Sequence, residues 1–270
     1  KGINANSEWI AEIQLLLSKD ELWAVKGFDI ATEQLAITGL AKTKAAAVAS
    51  KGLKETTTDK EVTITGSSFA VVFNKSNGAL TSYKVNGSEQ IGKAFLPNFV
   101  RPLTDNDKRG WKSNRVLKQW YAAKPVLLNI ETGNTPEGLP FVRSKYEVVK
   151  DSAFVTVKYT VNGNGVLKVD YALEANTALP NIPKVGLQGG INKSYSNISW
   201  YGKGKLENYI DRNYGFPVGV YNQNVTDFNE PYAVPQETGN RTDVRWLLAH
   251  NTAGNGLLVV ADSLLSMNVW

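Results

Sequence analysis

The sequence predicts an all-β protein, a large antiparallel sandwich, from three observations. First, long runs alternate apolar and polar residues, most plainly in Phe154–Val161, where Val155, Val157, Tyr159 and Val161 share one side. Second, short turn signals join such runs: Asn77-Gly78, Asn86-Gly87 and Asn162-Gly-Asn-Gly165. Third, no strand–helix repeat is visible, so a catalytic (β/α) barrel is not encoded in these residues.

The elements follow in chain order. Ser7–Ser18 and Phe28–Ile37 are predicted as two strands, too few to be stable alone. Between Lys42 and Lys60 the apolar periodicity disappears into Ala, Lys and Thr, which predicts a linker over 41–60. Hairpins are then expected: Phe69–Asn74 with Leu80–Val85, followed by Phe141–Val149, Phe154–Val161 and Val166–Leu173. Trp111–Ala123 is the one good helix candidate, with Val116, Leu117, Trp120 and Tyr121 at helical spacing. Late in the chain, Pro231 and Pro235 impose an extended approach to a strand beginning at Arg241. Strict alternation there puts Arg241, Asp243 and Arg245 on a polar face, and Thr242, Val244 and Trp246 towards a core. The polar set is expected to form a paired seam with Glu237.

At 270 residues the chain has room for one large or two ordinary domains. Without cysteine, neither disulfides nor thiolate metal sites are available. No apolar run approaches the roughly 20 residues of a membrane helix, so no membrane partner is expected. The net charge of +5 is local: seven basic residues between Arg101 and Lys124 oppose only Asp105 and Asp107. Trp111, Trp120 and Tyr121 are interleaved with those cations, a pattern seen in nucleic-acid binders. A short amphipathic helix with a solvated basic face explains the same residues, and no nucleic-acid partner is expected.

Polar chemistry concentrates in three segments: Arg101-Pro-Leu-Thr-Asp-Asn-Asp107, Glu207-Asn-Tyr-Ile-Asp-Arg212, and Glu237 to Arg245. The candidate residues are Arg101, Asp105, Asp107, Glu207, Asp211, Arg212, Glu237, Arg241, Asp243 and Arg245. Acids and amides in such loops can bind a sugar or a hard cation. Equally, Asp105 to Asp107 can cap the following helix, and Asp211 with Arg212 can tie a loop.

Phe99-Val-Arg-Pro-Leu-Thr-Asp-Asn-Asp107, Trp200-Tyr-Gly-Lys-Gly with Glu207-Asn-Tyr-Ile-Asp-Arg212, and Pro231 to Trp246 together resemble the C-terminal, small-chain domain of bacterial β-galactosidases of glycoside hydrolase family two. The resemblance runs from about Val62 to the end, and more weakly Trp9–Ile37 resembles the last strands of the preceding immunoglobulin-like domain. Arg101-Pro102-Leu103, Lys205-Leu206 and Thr238 depart from the usual pattern.

The resemblance implies a β-supersandwich similar to galactose mutarotase over 61–270, with remnant immunoglobulin-like strands over 1–40. It also implies a chain that begins part-way through a longer polypeptide and continues past Trp270. For function it implies retaining hydrolysis of terminal β-galactosides by two glutamates about 5 Å apart. Those belong to a preceding TIM barrel, so no catalytic residue is expected here. The ten candidate residues are then expected to serve packing against that barrel first and the rim of the active site second. No metal site is expected in this chain; magnesium and sodium are implied for the parent enzyme, and a homo-oligomer is compatible with the family. Two other functions fit the residues. A carbohydrate-binding module could use Trp200, Tyr201, Tyr209, Tyr214, Tyr221 and Tyr232 as platforms. A sugar epimerase needs a general acid and base, for which the sequence offers the single histidine His250.

Overall fold

A computed structural model describes residues 7–40 and 52–270. All its sheets are antiparallel, as the alternating pattern requires. The first is a hairpin of β1 (Ile10–Leu16) and β2 (Asp29–Ala36), which among the described residues pair only with each other. The described chain next forms β3 (Lys54–Thr57), β4 (Glu61–Thr65), β5 (Phe69–Asn74), β6 (Leu80–Val85), β7 (Ser88–Glu89) and β8 (Ile91–Asn98). After a helical segment come β9 (Val126–Asn134), β10 (Pro140–Val149), β11 (Ala153–Val161), β12 (Leu167–Ala175) and β13 (Gly186–Ile191). The last strands are β14 (Asn197–Lys203), β15 (Val218–Asn224), β16 (Arg241–His250) and β17 (Gly256–Met267).

Two compact units result. One contains residues 46–193 and 234–237; the other contains 1–45, 194–233 and 238–270. In the first, a sheet ordered β13-β8-β6-β5-β4-β3, with β7 on β6, faces a second sheet ordered β12-β11-β10-β9. The alternating residues Val62, Ile64, Val71 and Phe73 meet Val142, Tyr146, Val155 and Tyr159 in one buried core. Phe73 and Tyr159 stack with ring centroids 5.2 Å apart. The Asn86-Gly87 signal becomes the two-residue loop between β6 and β7, with both residues at positive φ (49° and 77°), as a primed hairpin turn demands. In the second unit, β15-β14-β16-β17 form a four-stranded sheet, with Ile198, Trp200 and Val244 buried.

Three expectations are corrected. Lys54–Thr57, inside the stretch expected to be linker, is strand β3 and pairs with β4 from Lys54↔Thr65 to Thr57↔Val62. All four of its side chains are exposed, so it is an edge strand with no core signal to betray it. Residues 41–51 of the expected linker lie outside the described residues.

The single helix expected over Trp111–Ala123 is broken into a π-helical turn (Asp107–Trp111), α1 (Ser113–Val116) and α2 (Lys118–Tyr121). Lys112 at φ 52° interrupts it, and only Trp120 of the four spaced apolar residues is fully buried. The first break stands beside Ser113, whose hydroxyl donates to Asp107 at 2.7 Å, and a second falls at Leu117 (φ −104°, ψ 25°).

The strict alternation of β16 also fails. Asp243 sits at φ 53°, and the pairing with β17 shifts register on both sides of Val244. Thr242 and Val244 are buried as the alternation expects, but an extra residue in a strand disturbs the alternation on either side of it. Arg241 is therefore buried beside Thr242, not displayed on a polar face, and Trp246 is only half-buried.

Candidate functional site

Arg101, Asp105, Asp107 and Glu237 belong to one compact unit, and Glu207, Asp211, Arg212, Arg241, Asp243 and Arg245 to the other. Within each unit they divide into clusters, most built around one carboxylate and one, at Arg241, around aromatic rings.

In the first unit, Asp107 is the anchor. Its Oδ2 accepts from Arg101 Nη1 at 2.5 Å and from the Thr104 backbone N–H at 2.9 Å, while its Oδ1 accepts from Ser113 Oγ at 2.7 Å. Burial opposes ionisation of Asp107, but Arg101, Ser113 and Thr104 outweigh it and hold the carboxyl well below its ordinary range. The capping role expected for this segment is not what forms: the turn has no side-chain cap. Asp105 contributes its backbone N–H, which donates to Gln236 Oε1 at 3.1 Å. Glu237 is buried in the same unit, with the charges of Arg101 and Lys184 acting near it. Burial pulls Lys184 below its ordinary range, Glu237 opposing and Arg101 assisting.

In the second unit, Glu207 is 7% exposed and fully engaged. Arg212 Nη2 and the Tyr232 hydroxyl donate to Oε1; Thr238 Oγ1 (3.1 Å) and the Gly239 N–H (2.9 Å) donate to Oε2. Burial raises its affinity for a proton, but these donors prevail and the carboxyl stays ionised below its ordinary range. Arg212 also lies over the Tyr209 ring, 4.8 Å from its centroid. Asp211, expected to tie this loop, is exposed and makes no ion pair among the described residues.

Arg241 is 1% exposed. Its guanidinium lies 5.2 Å from the Trp200 centroid and 4.5 Å from that of Phe228, and donates to Gln223 Oε1 (2.9 Å) and the Asn240 carbonyl (3.1 Å). Burial lowers its pKa to about 10, partly offset by the charge of Glu207. Aromatic faces here take the place of a carboxylate partner.

The ion pair expected between Arg245 and Asp243 is not formed among the described residues. Arg245 instead clasps Glu8, with Nε to Oε2 at 3.0 Å and Nη2 to Oε1 at 2.5 Å. The Tyr201 hydroxyl donates to the same Glu8 at 2.8 Å, and the Arg245 guanidinium stacks over the Tyr201 ring. Against the pull of burial, Arg245 and Tyr201 lower the pKa of Glu8. Asp243 pairs with Lys203 Nζ at 3.7 Å and gives its backbone carbonyl to Arg245 at 2.6 Å. Nothing local announces Glu8, which is 237 positions away. Asn208 was also missed: it is fully buried, and its Oδ1 accepts from the Thr242 N–H (2.8 Å) and hydroxyl (2.6 Å).

Of the proposed sugar platforms, Trp200 is buried and Tyr201, Tyr209 and Tyr221 are half-buried, leaving Tyr214 and Tyr232 exposed. His250 Nε2 lies 3.4 Å from Ser199 Oγ, and its Nδ1 is 3.2 Å from the Asn251 carbonyl. Among the described residues no three His, Asp or Glu side chains are grouped to hold a metal ion.

The chain is 31% identical over 267 residues to a beta-galactosidase of Priestia megaterium, covering 98% of this chain and 26% of that protein. It is 32% identical over 264 residues to a beta-galactosidase of Halalkalibacterium halodurans (96% and 26%). It is 31% identical over 264 residues to the beta-galactosidase BgaC of Bifidobacterium adolescentis (93% and 25%). The chain thus spans about a quarter of the length of these relatives. Over residues 65–270 it matches the beta galactosidase small chain, and it belongs to that family.

Proposed function

We propose that this chain is the C-terminal, non-catalytic part of a β-galactosidase that hydrolyses terminal β-D-galactosides with retention. The observation that carries this reading is a match along nearly all of this chain to only a quarter of each relative. In this reading 1–40 are the last strands of an immunoglobulin-like domain, and the family domain follows, with any linker ending before Lys54. The domain packs on the parent's catalytic barrel and shapes the rim of its active site. The state of the carboxylates supports a scaffold role. Asp107 and Glu207 have their oxygens taken by neighbours and their pKa values held low, whereas a general acid at neutral pH needs a raised one. Magnesium and sodium, implied for the parent, do not fit a carboxylate cluster among the residues described, and no step is assigned to them.

The test is turnover of a nitrophenyl β-galactoside by the purified chain and by the full-length parent. The parent is expected to hydrolyse it with retention, and the chain alone not at all. Turnover by the chain, free of host enzyme, overturns the non-catalytic assignment.

A further inference from the structure

The β1–β2 hairpin and the sheet β15-β14-β16-β17 belong to one compact unit, and two polar contacts join them. One is the clasp of Glu8 with Arg245 on β16 and Tyr201 on β14. The other is made by Gln34 on β2. Its Oε1 accepts from the Val218 backbone N–H at 2.6 Å, and its Nε2 donates to the Val218 carbonyl at 3.0 Å. Val218 lies opposite Lys203 of β14, on the last strand of the sheet among the described residues. In an antiparallel strand one residue directs its N–H and its carbonyl to the same side. The two groups held by Gln34 are therefore those that a further strand would use. A side-chain amide carries the same donor and acceptor as a peptide group, and here it takes that strand's place.

Apolar packing adds little to this joint. No side chain of β1 or β2 is fully buried, and Ile13, Leu15, Leu16, Ile30 and Leu35 are exposed. The hairpin is instead stitched to itself. Gln34 Nε2 also donates across the ladder to Glu12 Oε2 at 2.9 Å. At the hairpin's base the Trp9 N–H donates to Thr38 Oγ1 at 2.8 Å, and that hydroxyl donates to the Ser7 carbonyl at 2.9 Å. Glu8 stands between Ser7 and Trp9, so both ends of the joint are carried on one internally bonded body. A two-stranded hairpin is marginal in water without support, so each end depends on the other to keep the hairpin in place.

We propose that the β1–β2 hairpin is a flap that leaves the sheet as one cooperative unit while the sheet stays folded, and that Gln34 is the positioning residue that seats it on the edge of β15. The flap follows from contacts within this chain and stands apart from the glycosidase reading.

Hydrogen exchange followed by NMR on the chain reads the two ends separately. The Val218 amide reports the Gln34 end, and the Arg245 Nε–H reports the Glu8 end. Both are expected to exchange through the same opening as the β1–β2 ladder amides, and through an easier one than the amides of β14. Arg245→Ala should speed exchange at Val218 more than tenfold, although Gln34 and not Arg245 holds that amide. Gln34→Met keeps the side-chain length and removes the amide, and should speed exchange at Arg245 Nε–H about tenfold. Gln34→Glu sets a carboxylate against the Val218 carbonyl and Glu12, and should speed it further. Continued protection of β14 shows that each variant is folded, and the Gln34 variants carry the test if Arg245→Ala does not fold. Exchange at Val218 indifferent to Arg245→Ala, or at Arg245 indifferent to both Gln34 variants, overturns the proposal, because ends that open independently are not one unit. Val218 exchanging no more easily than β14 overturns it as well, since the hairpin then leaves only when the sheet unfolds.

Discussion

At the scale of single residues, Arg241 and Arg245 show how far two arginines four positions apart can differ. Arg245 is held by Glu8, with side-chain exposures of 17% and 9%. Removing one member strands the other's charge in a largely buried setting. Arg245→Ala should therefore destabilise by about 3 kcal/mol, towards the low end for buried pairs because some solvent reaches this one. Adding Glu8→Ala should cost little more, because the stranded charge goes with it. Chemical denaturation of the two single variants and the double variant checks this, and fully additive costs would mean that the clasp is not coupled. Trp246 and Trp200 provide a second contrast. Trp200 is fully buried with Arg241 over its ring, so Trp200→Ala should cost about 3–5 kcal/mol. Trp246 is only half-buried, and Trp246→Ala should cost roughly half as much. Equal losses from the two would restore the strict alternation that the sequence suggests.

At the scale of elements, the bulge in β16 explains why that alternation fails. Asp243 adopts φ 53°, and its neighbour strand approaches so closely that a Cβ on Gly202 would lie 2.9 Å from the Val244 Cα. Asp and Asn tolerate the left-handed region better than β-branched residues do. Asp243→Val should thus cost about 2 kcal/mol. Asp243→Gly should fall within about 0.5 kcal/mol of the wild type, since relief of strain offsets loss of a weak pair with Lys203. Thermal melts of the two variants decide it, and a well-tolerated valine would remove the bulge as the cause of the broken alternation at Arg241 and Trp246. The same elements show what was legible in the sequence. Strands with one core face, such as β5, β10 and β11, and loops with Asn-Gly signals follow from local period and turn chemistry. The all-β class and the family follow from those strands and from the three polar motifs. What was not legible depends on contacts distant in sequence or on one residue's backbone. β3 has no buried side chain to mark it. The predicted helix is broken by the backbone at Lys112 and Leu117. The partner of Arg245 lies at the other end of the chain.

At the scale of the whole molecule, the three anchoring carboxylates set the acid limit of stability together. Glu8, Asp107 and Glu207 each have a folded pKa below the unfolded value, which is near 4. Such groups contribute stability that is fully present above the unfolded pKa and lost as pH falls through the folded one. The opposite limit belongs to tyrosines. Tyr146 and Tyr201 are pushed up to about 12, Tyr146 by burial and Tyr201 by burial together with its bond to Glu8. A phenol whose folded pKa is raised contributes stability fully present below its unfolded value near 10 and lost as pH rises towards the folded value. Unfolding free energy should accordingly be flat from about pH 5 to about pH 9, fall below about pH 4, and fall again above about pH 10. Denaturant titrations across that range test both limbs. Arg245→Ala should flatten part of the acid limb, because Glu8 then loses its largest favourable partner and its folded pKa rises towards the unfolded one. An acid limb that persists unaltered in Arg245→Ala would assign the pH dependence to Asp107 and Glu207 alone, and with it would fall the idea that Glu8 holds its hairpin through charge.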